Sequence, residues 1–153
     1  MAKIKRFFEC LVPVSVCNLE CPYCYIIQED RRKMALADMP YSPEHIARAL
    51  RPERVGGTCF ISICGAGETL AQKEVVPIVG ELLKEGHFVN ITTNGTLLPR
   101  RGHALAGVHK VSVSLHSFEG NDRAEGLEAY LSGVWDFCRR AARLPNLCPH
   151  FHL

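Results

Sequence analysis

The sequence predicts an α/β protein with parallel strands, and three observations support this fold class. Short apolar runs typical of strands alternate four times with segments of helical periodicity. The helical segments have the length of a crossover connection, which parallel strands require. Every polar or glycine-rich motif directly follows a predicted strand. Because ligand sites in parallel α/β folds gather at the carboxyl edge of the sheet, these motifs are expected to meet in space.

Five segments have the composition of strands. The first apolar run ends at a cysteine-rich loop, and the second runs into a loop that contains two glycines. The third ends at Asn94-Gly95, a dipeptide typical of turns. The predicted strands are Phe7–Val16, Cys59–Cys64, Phe88–Thr93, Val111–Leu115 and a segment that begins near Leu147.

Four helices are predicted between these strands. Ser42 is a suitable N-cap for the first helix, with Pro43 at its first position, and Gly86 is well placed to end the second. The predicted helices are Pro43–Leu50, a helix with Val75, Val79, Leu82 and Leu83 on one face, Pro99–Ala106 and Leu127–Leu144. The last of these is expected to bury a stripe formed by Leu127, Leu131, Val134, Cys138 and Ala141.

Composition narrows the class of protein. A chain of 153 residues, 47% hydrophobic and 22% charged, is expected to form one globular domain. A net charge of +2 does not suggest nucleic-acid binding, and the sequence has no apolar run of the length that spans a membrane. Of eight cysteines, three cluster at metal-ligand spacing and five are scattered, which favours a reducing cytoplasm over a secreted disulfide framework.

The most informative feature is the loop with Cys17, Cys21 and Cys24, in the spacing C-x3-C-x2-C. Structural zinc sites and ordinary electron-transfer clusters take four protein ligands. Three thiolates on one loop suit three irons of a [4Fe–4S] cluster and leave the fourth iron open to a small molecule. One alternative is a zinc site completed by a distant Cys or His. The other is a set of core cysteines, which is disfavoured because Asn18, Glu20 and Pro22 indicate a loop.

The chain ends inside the predicted fifth strand, at His150-Phe151-His152-Leu153. An unpaired apolar edge is a liability for a sheet. We therefore expect residues 1–153 to be the N-terminal, incomplete portion of a core domain in a longer enzyme, or a truncated gene product. The corresponding fold is a partial (β/α) barrel, truncated after about four βα units; a compact open sheet is the alternative.

Four motifs in register resemble the radical S-adenosylmethionine (radical SAM) superfamily. The cysteine loop, with Tyr23 before its last cysteine, is similar to the cluster motif of that superfamily. The segment 66–69, Ala-Gly-Glu-Thr, resembles its Gly-Gly-Glu-Pro motif, 92–95 matches a Thr-Thr-Asn-Gly signature, and 114–116 resembles a Ser-Leu-Asp segment. The resemblance covers nearly the whole chain, from about Phe7 to Leu153.

The chain departs from the superfamily pattern at three positions. Ala66 and Thr69 replace a Gly and a Pro, and His116 stands where Asp is common. Alanine at position 66 would be strained only if the backbone there needs a positive φ. The histidine lies toward the expected substrate side, so this difference concerns the choice of substrate.

The resemblance implies a role for each motif. Cys17, Cys21 and Cys24 would ligate the [4Fe–4S] cluster, whose open iron would chelate the amino and carboxylate groups of SAM. Tyr23 would approach the adenine, Ala66 and Gly67 would meet the methionine ammonium, Glu68 would lie near the same ammonium, Thr93 and Asn94 would face the pocket, and Ser114 would contact the SAM carboxylate or ribose. From the residues alone, Tyr23 and Ser114 are also compatible with core packing, Glu68 with a helix start and Asn94 with a turn.

The resemblance further implies an activity and partners. A reduced cluster would cleave SAM to methionine and a 5′-deoxyadenosyl radical, which abstracts hydrogen from a small-molecule or peptide substrate. An electron donor such as flavodoxin or ferredoxin would supply the electron, and no nucleic acid or membrane would take part. Relatives with this motif set mature peptides and sulfatases or begin molybdenum-cofactor synthesis from GTP. The alternative is a non-catalytic, iron–sulfur cluster-binding fragment of such an enzyme.

Overall fold

The structure is a computed structural model that describes residues 4, 6–12, 17–28, 41–65, 67–115 and 126–152. Its strands are β1 (Phe7–Val12), β2 (Phe60–Gly65), β3 (Phe88–Thr93), β4 (Lys110–Ser114) and β5 (Cys148–His152). Its α-helices are α1 (Tyr25–Gln28), α2 (Pro43–Ala49), α3 (Pro52–Val55), α4 (Val75–Lys84), α5 (Leu98–Arg101) and α6 (Leu127–Ala141). Two 3₁₀ turns cover Thr69–Ala71 and Gly102–Leu105.

The five strands form one sheet in the order β1-β2-β3-β4-β5, and all neighbouring pairs are parallel. The register places Phe7 opposite Phe60 and Ser112 opposite His150. Within the described residues β1 and β5 are the edge strands, so the sheet is open. The predicted α/β class with parallel strands is confirmed, and the open sheet is consistent with a partial (β/α) barrel.

One face of the sheet carries the hydrophobic core. Alternate residues of the central strands point to this face and are almost completely buried: Ile61, Ile63, Val89, Ile91, Val111 and Val113. They share a cluster with Val79 and Leu82 of α4 and with Val134 and Phe137 of α6. Burial of each such side chain contributes about 1.5–3 kcal/mol, so this face is the main source of stability.

The residues between these core positions form a polar ladder on three strands. Asn90 on β3 donates a hydrogen bond through Nδ2 to Ser62 Oγ on β2 at 2.9 Å. Its Oδ1 accepts a hydrogen bond from Ser112 Oγ on β4 at 3.1 Å. All three residues are buried, and Asn90 is hydrogen-bonded to both serines, so these polar groups do not incur the cost of unpaired burial.

Two predicted helix ends are confirmed, the start of α2 and the end of α4. The Ser42 hydroxyl accepts a hydrogen bond from the His45 amide and caps α2, and Gly86, with φ of 79°, follows the last turn of α4. The buried stripe predicted for α6 is wrong at its start, because Leu127 is 50% exposed. The helix buries Tyr130, Val134, Phe137 and Ala141. Its face is rotated toward Tyr130, whose hydroxyl donates to the Asn94 carbonyl.

Other element boundaries differ from the prediction. The short helices α1 and α3 were not expected, and α6 ends at Ala141 instead of Leu144. β2 and β4 are each shifted by one residue, and the region predicted as helix Pro99–Ala106 begins one residue earlier and ends as a 3₁₀ turn. Positions 13–16, Ala66 and His116 lie outside the described residues. Among those that are described, no helix is long and apolar enough to cross a membrane.

Candidate functional site

A cavity of about 340 Å³ lies at the carboxyl edge of the sheet. Ligand pockets for small molecules begin at about 300 Å³, so the cavity is large enough for such a ligand. Its lining residues come from the cysteine loop, α1, the end of β2 and the loop after it, the end of β3 and the end of β4. They are Cys17, Leu19, Cys21, Tyr23, Cys24, Tyr25, Gly65, Gly67, Glu68, Thr92, Thr93, Asn94 and Ser114.

The cysteine loop is held by a tight turn. The amide of Cys24 donates a hydrogen bond to the Cys21 carbonyl at 2.9 Å, with Pro22 and Tyr23 at the corner. The first corner position of such a turn favours proline, because the φ angle of proline is fixed near the value that the turn requires. The carbonyl of Cys24 then accepts from the Gln28 amide at 2.9 Å, which begins α1. This local structure holds two of the three thiols three residues apart on one turn.

Cys17, Cys21 and Cys24 form no disulfide and are half-buried, and they share their cavity with Glu68. Burial raises the pKa of the Cys17 thiol, and the charges of Glu68, Cys21 and Cys24 act in the same direction, whereas the Leu19 amide lowers it. Several negative groups are therefore crowded together when the thiols ionise. A cationic metal centre would relieve this repulsion, since metal binding holds cysteine as the thiolate.

Glu68 joins the ends of two strands. Glu68 is buried, with only 2% of its surface exposed. Oε1 accepts from the Leu70 amide at 3.0 Å and from the Thr93 hydroxyl at 2.5 Å, and Oε2 accepts from the Asn94 amide at 2.7 Å. The bond to Leu70 caps the 3₁₀ turn, as a helix-start role predicts, while the other two bonds tie the segment after β2 to the end of β3.

Burial shifts the pKa values of two titratable groups in this region, Glu68 and Tyr130. Burial raises the pKa of Glu68, and the three hydrogen bonds it accepts oppose that shift by favouring the carboxylate. Burial also raises the pKa of Tyr130 to about 12, helped by the charge of Glu68. The Tyr130 hydroxyl donates to the Asn94 carbonyl at 2.9 Å, so a neutral phenol is the form that suits its place.

The turn after β3 is shaped by Thr93, Asn94 and Gly95. The Thr93 hydroxyl accepts from the Gly95 amide at 3.1 Å, and Gly95 has φ of 84°. A Cβ at Gly95 would lie 3.0 Å from Val113 and 3.1 Å from the Tyr130 hydroxyl. Glycine is thus required for both the left-handed backbone and the close packing. The Asn-Gly turn predicted from sequence is present, and it also borders the cavity.

The structure brings most of the predicted site residues together. Nine line the cavity, namely Cys17, Cys21, Cys24, Tyr23, Gly67, Glu68, Thr93, Asn94 and Ser114. Ala66 lies outside the described residues. Sequence reasoning missed Leu19, Tyr25, Gly65 and Thr92. Thr92 directly precedes Thr93, Gly65 directly precedes Ala66, and Tyr25 directly follows Cys24. The signal that could have found them is their position next to a predicted site residue.

The donor side chains can be compared with the requirements of a structural zinc site. In the part of the chain that the structure describes, no three His, Cys, Asp or Glu side chains converge closely enough to hold a single metal ion. A structural zinc site needs four donors about 2.0–2.3 Å from one point. The three thiols line the wall of one cavity.

The chain is similar to known proteins of one family. The family model of the Radical SAM superfamily matches residues 11–144. A GTP 3′,8-cyclase from Pelotomaculum thermopropionicum is 33% identical over 125 residues, which cover 78% of this chain and 38% of that protein. A GTP 3′,8-cyclase from Petrotoga mobilis is 36% identical over 105 residues, covering 66% of this chain and 32% of that protein. The chain thus matches only about a third of the length of these curated relatives.

A solved structure shows the same likeness in three dimensions. The crystal structure of BtrN in complex with AdoMet and 2-DOIA superimposes with a TM-score of 0.68 at 25% sequence identity. The match covers 99% of this chain and 58% of that chain. The family match spans most of the sequence, and the fold and the cysteine loop agree with it. This chain belongs to the radical SAM superfamily.

Proposed function

We propose that this chain is the N-terminal portion of the core domain of a radical SAM enzyme. The single observation that carries the proposal is the common cavity. The three thiols of the C-x3-C-x2-C loop line the same cavity as residues at the ends of β2, β3 and β4 and in the loops after β2 and β3. A cluster held by the thiols would therefore lie beside a pocket with room for part of a second ligand.

The residues present suit a [4Fe–4S] cluster with one open iron. Cys17, Cys21 and Cys24 supply soft sulfur donors, which iron–sulfur clusters require. Three donors leave one iron for SAM. When bound, the cluster and SAM together supply the reductive cleavage that yields a 5′-deoxyadenosyl radical for hydrogen abstraction. Thiols that must stay reduced suit a cytoplasmic location.

The other cavity residues would position SAM. Tyr23 is 41% exposed at the rim, and its ring would pack against the adenine. Gly67 would let the backbone approach the methionine ammonium, since a side chain would obstruct it. We assign the same backbone role to Ala66, which precedes it. Ser114, half-buried at the end of β4, would donate to the SAM carboxylate or ribose.

Glu68, Thr93 and Asn94 would act mainly through the shape of the pocket. Both carboxylate oxygens of Glu68 already accept hydrogen bonds from protein groups. The buried charge would attract the methionine ammonium at short range because the surroundings are poorly solvated. The hydrogen bonds meanwhile hold Thr93 and Asn94 at the cavity wall, so that the pocket is formed before SAM binds.

The substrate is proposed from the relatives. The matched proteins named above are GTP 3′,8-cyclases, and the BtrN structure contains 2-DOIA, so both favour a small-molecule substrate over a peptide. GTP is the first substrate to test. A low-potential donor such as flavodoxin or ferredoxin would supply the electron.

The proposal is tested by anaerobic reconstitution with iron and sulfide, followed by metal analysis and assay of 5′-deoxyadenosine formed from SAM under reducing conditions. We expect about four irons per chain and formation of 5′-deoxyadenosine. Cys21→Ala should lose both, because two thiolates do not hold the cluster. Cys138→Ala is the matched control: it removes a half-buried cysteine of α6, away from the cavity, and should retain both. Equal iron in the Cys21→Ala protein, or stoichiometric zinc in the wild-type protein, would contradict the proposal.

A further inference from the structure

Asn18, which directly follows the first cysteine, is part of a closed ring of hydrogen bonds. Asn18 Nδ2 donates to Thr96 Oγ1 at 2.9 Å, and Thr96 Oγ1 donates to Asn94 Oδ1 at 2.7 Å. Asn94 Nδ2 completes the ring by donating to Asn18 Oδ1 at 3.0 Å. The three side chains come from the cysteine loop and from the turn after β3, which are 76 to 78 residues apart in the sequence.

The ring has one direction, and each member is both a donor and an acceptor. Each amide uses its NH₂ group toward one neighbour and its oxygen toward the other, and the hydroxyl of Thr96 does the same. The Thr96 amide also donates to Asn94 Oδ1 at 3.0 Å, which fixes the side chain of Asn94 against its own turn. Aspartate at position 18 would lose the donor to Thr96, and alanine would lose both bonds.

The ring lies where solvent does not compete strongly. Asn94 is buried, and Asn18 and Thr96 are half-buried. Leu19, the next residue of the loop, is 3% exposed and provides an apolar anchor beside the ring. Hydrogen bonds in such surroundings hold their geometry better than exposed ones, because a lost partner is not fully replaced by water.

The ring connects the two sides of the cavity. On one side it holds Asn18, adjacent to Cys17; on the other it holds Asn94, whose backbone is tied to Glu68 at 2.7 Å and to Tyr130 at 2.9 Å. The distance from the cysteine loop to the wall formed by β2 and β3 is thus set by side chains that carry no metal. For a ligand that must contact both sides at once, an error of about 1 Å in that distance is costly.

We propose that Asn18 is a positioning residue for SAM: through Thr96 and Asn94 it fixes the cysteine loop at the distance from the β3 turn that SAM must span. This inference rests on the proposed function, because it assumes that the loop and the turn hold the two ends of one ligand. Asn18 itself ligates no metal in this proposal. Its removal should therefore weaken SAM binding while the cluster still assembles.

The test measures SAM affinity and cluster content separately, on the anaerobically reconstituted full chain. The variants are Asn18→Ala, Thr96→Val and the double variant, and SAM dissociation constants are measured by isothermal titration calorimetry. We expect the iron content of the wild type and an approximately tenfold higher dissociation constant in each single variant. The double variant should be no worse than about threefold beyond either single one, because both changes open the same ring.

Gln28→Ala is the matched control. Gln28 Nε2 donates to the Pro22 carbonyl at 3.0 Å, so this change removes a hydrogen bond of the same loop that does not reach β3. Its SAM dissociation constant should remain within twofold of the wild type. The thermal midpoint of each variant is recorded as well, since a merely structural role of Asn18 would lower the midpoint without changing SAM affinity.

Two results would overturn the inference. One is a dissociation constant within twofold of the wild type in Asn18→Ala; the other is multiplication of the two single effects in the double variant. If Asn18→Ala does not fold, Thr96→Val opens the ring without altering the cysteine loop, and unchanged SAM affinity there overturns the inference too. A wild-type protein that assembles its cluster and binds no SAM would instead contradict the proposed function itself.

Discussion

Glu68 at the start of the 3₁₀ turn accepts a hydrogen bond from the backbone amide of Asn94 at the end of β3, 2.7 Å away. Together with the bonds from Thr93 and Leu70, this contact uses both oxygens of a buried carboxylate. A residue that resembles a cofactor-binding acid in sequence is thus also a structural connection between two strand ends. The structural role can be tested without any cofactor.

The structural role predicts that Glu68→Gln is destabilising. The amide of glutamine keeps only one acceptor oxygen. Its NH₂ group must point at the N–H or O–H of at least one group that donates a hydrogen bond to the carboxylate in the wild type. We expect the free energy of unfolding to fall by about 1–3 kcal/mol, measured by urea denaturation. Glu81→Gln changes a half-buried carboxyl whose partner, Lys84, is exposed, and it should have a much smaller effect than Glu68→Gln. Equal stability of the Glu68→Gln protein and the wild type would contradict the described network.

The Tyr130 phenol predicts a specific loss of stability at alkaline pH. Burial raises its pKa to about 12 from the ordinary tyrosine value of about 10, so between these pH values the folded state retains a proton that the unfolded state has lost. The stabilisation is present below about pH 10 and is lost as the pH rises toward about 12, amounting to about 2–3 kcal/mol. The difference in unfolding free energy between the wild type and Tyr130→Phe, measured from pH 9 to 12, should shrink or reverse over this range. A constant difference would be the contrary result.

His87 is expected to be essential for stability although it lies outside the cavity. It is 1% exposed; its Nδ1 accepts from the Cys59 amide at 3.1 Å, and its Nε2 lies 2.7 Å from the Leu50 carbonyl. These partners require the neutral tautomer with the proton on Nε2. His87→Phe keeps a ring and leaves both backbone groups unpaired, so we expect a loss of about 2–4 kcal/mol in urea denaturation.

His103→Phe is the control for this loss, because His103 is exposed. It should change the free energy of unfolding by no more than about 0.5 kcal/mol. A similar effect of both substitutions would mean that the His87 contacts contribute nothing specific.

Two helical glycines are expected to respond in opposite directions to alanine. In α6, a Cβ at Gly133 would lie 2.6 Å from Pro99 Cγ, a ring atom that has little freedom to move. In α4, a Cβ at Gly80 would meet nothing within 4 Å. Gly80→Ala should stabilise the protein by about 0.5–1 kcal/mol through helix propensity, and Gly133→Ala should destabilise it by about 1–3 kcal/mol through overpacking. Thermal midpoints give the sign of each change, and two increases would show that α5 and α6 pack less closely than described.

The elements that sequence predicted best are those whose signals are local. β3 was predicted with its observed bounds because an apolar run is followed at once by the Asn-Gly turn, and the Ser42 cap of α2 was predicted because its hydrogen bond lies within one turn. The face of α6 was placed wrongly at Leu127, since the helix orientation depends on the bond from Tyr130 to a strand end 36 residues away. The observed stripe of Tyr130, Val134, Phe137 and Ala141 has the same helical spacing as the predicted one, so periodicity alone does not choose between the two faces.

In the candidate site, too, features with a local sequence signal were predicted and contacts between distant residues were not. The spacing of the cysteines identified the loop, and the order of motifs after parallel strands indicated where they meet, so nine predicted residues line one cavity. The supporting contacts were not predicted. Asn18 reads as an ordinary loop residue, and its bond to Asn94 joins positions 76 apart. Side-chain pairing over that separation depends on the packed sheet and leaves no trace in the local pattern.

Electron paramagnetic resonance shows whether one cavity holds both an open-iron cluster and SAM. The protein is reconstituted anaerobically and reduced, and its spectrum is recorded with and without SAM. We predict a [4Fe–4S] signal that changes when SAM is added, since SAM binds the iron that the three cysteines leave open. A cluster signal that is indifferent to SAM, or no cluster signal in a protein that holds zinc, would show that the cavity does not hold the two together.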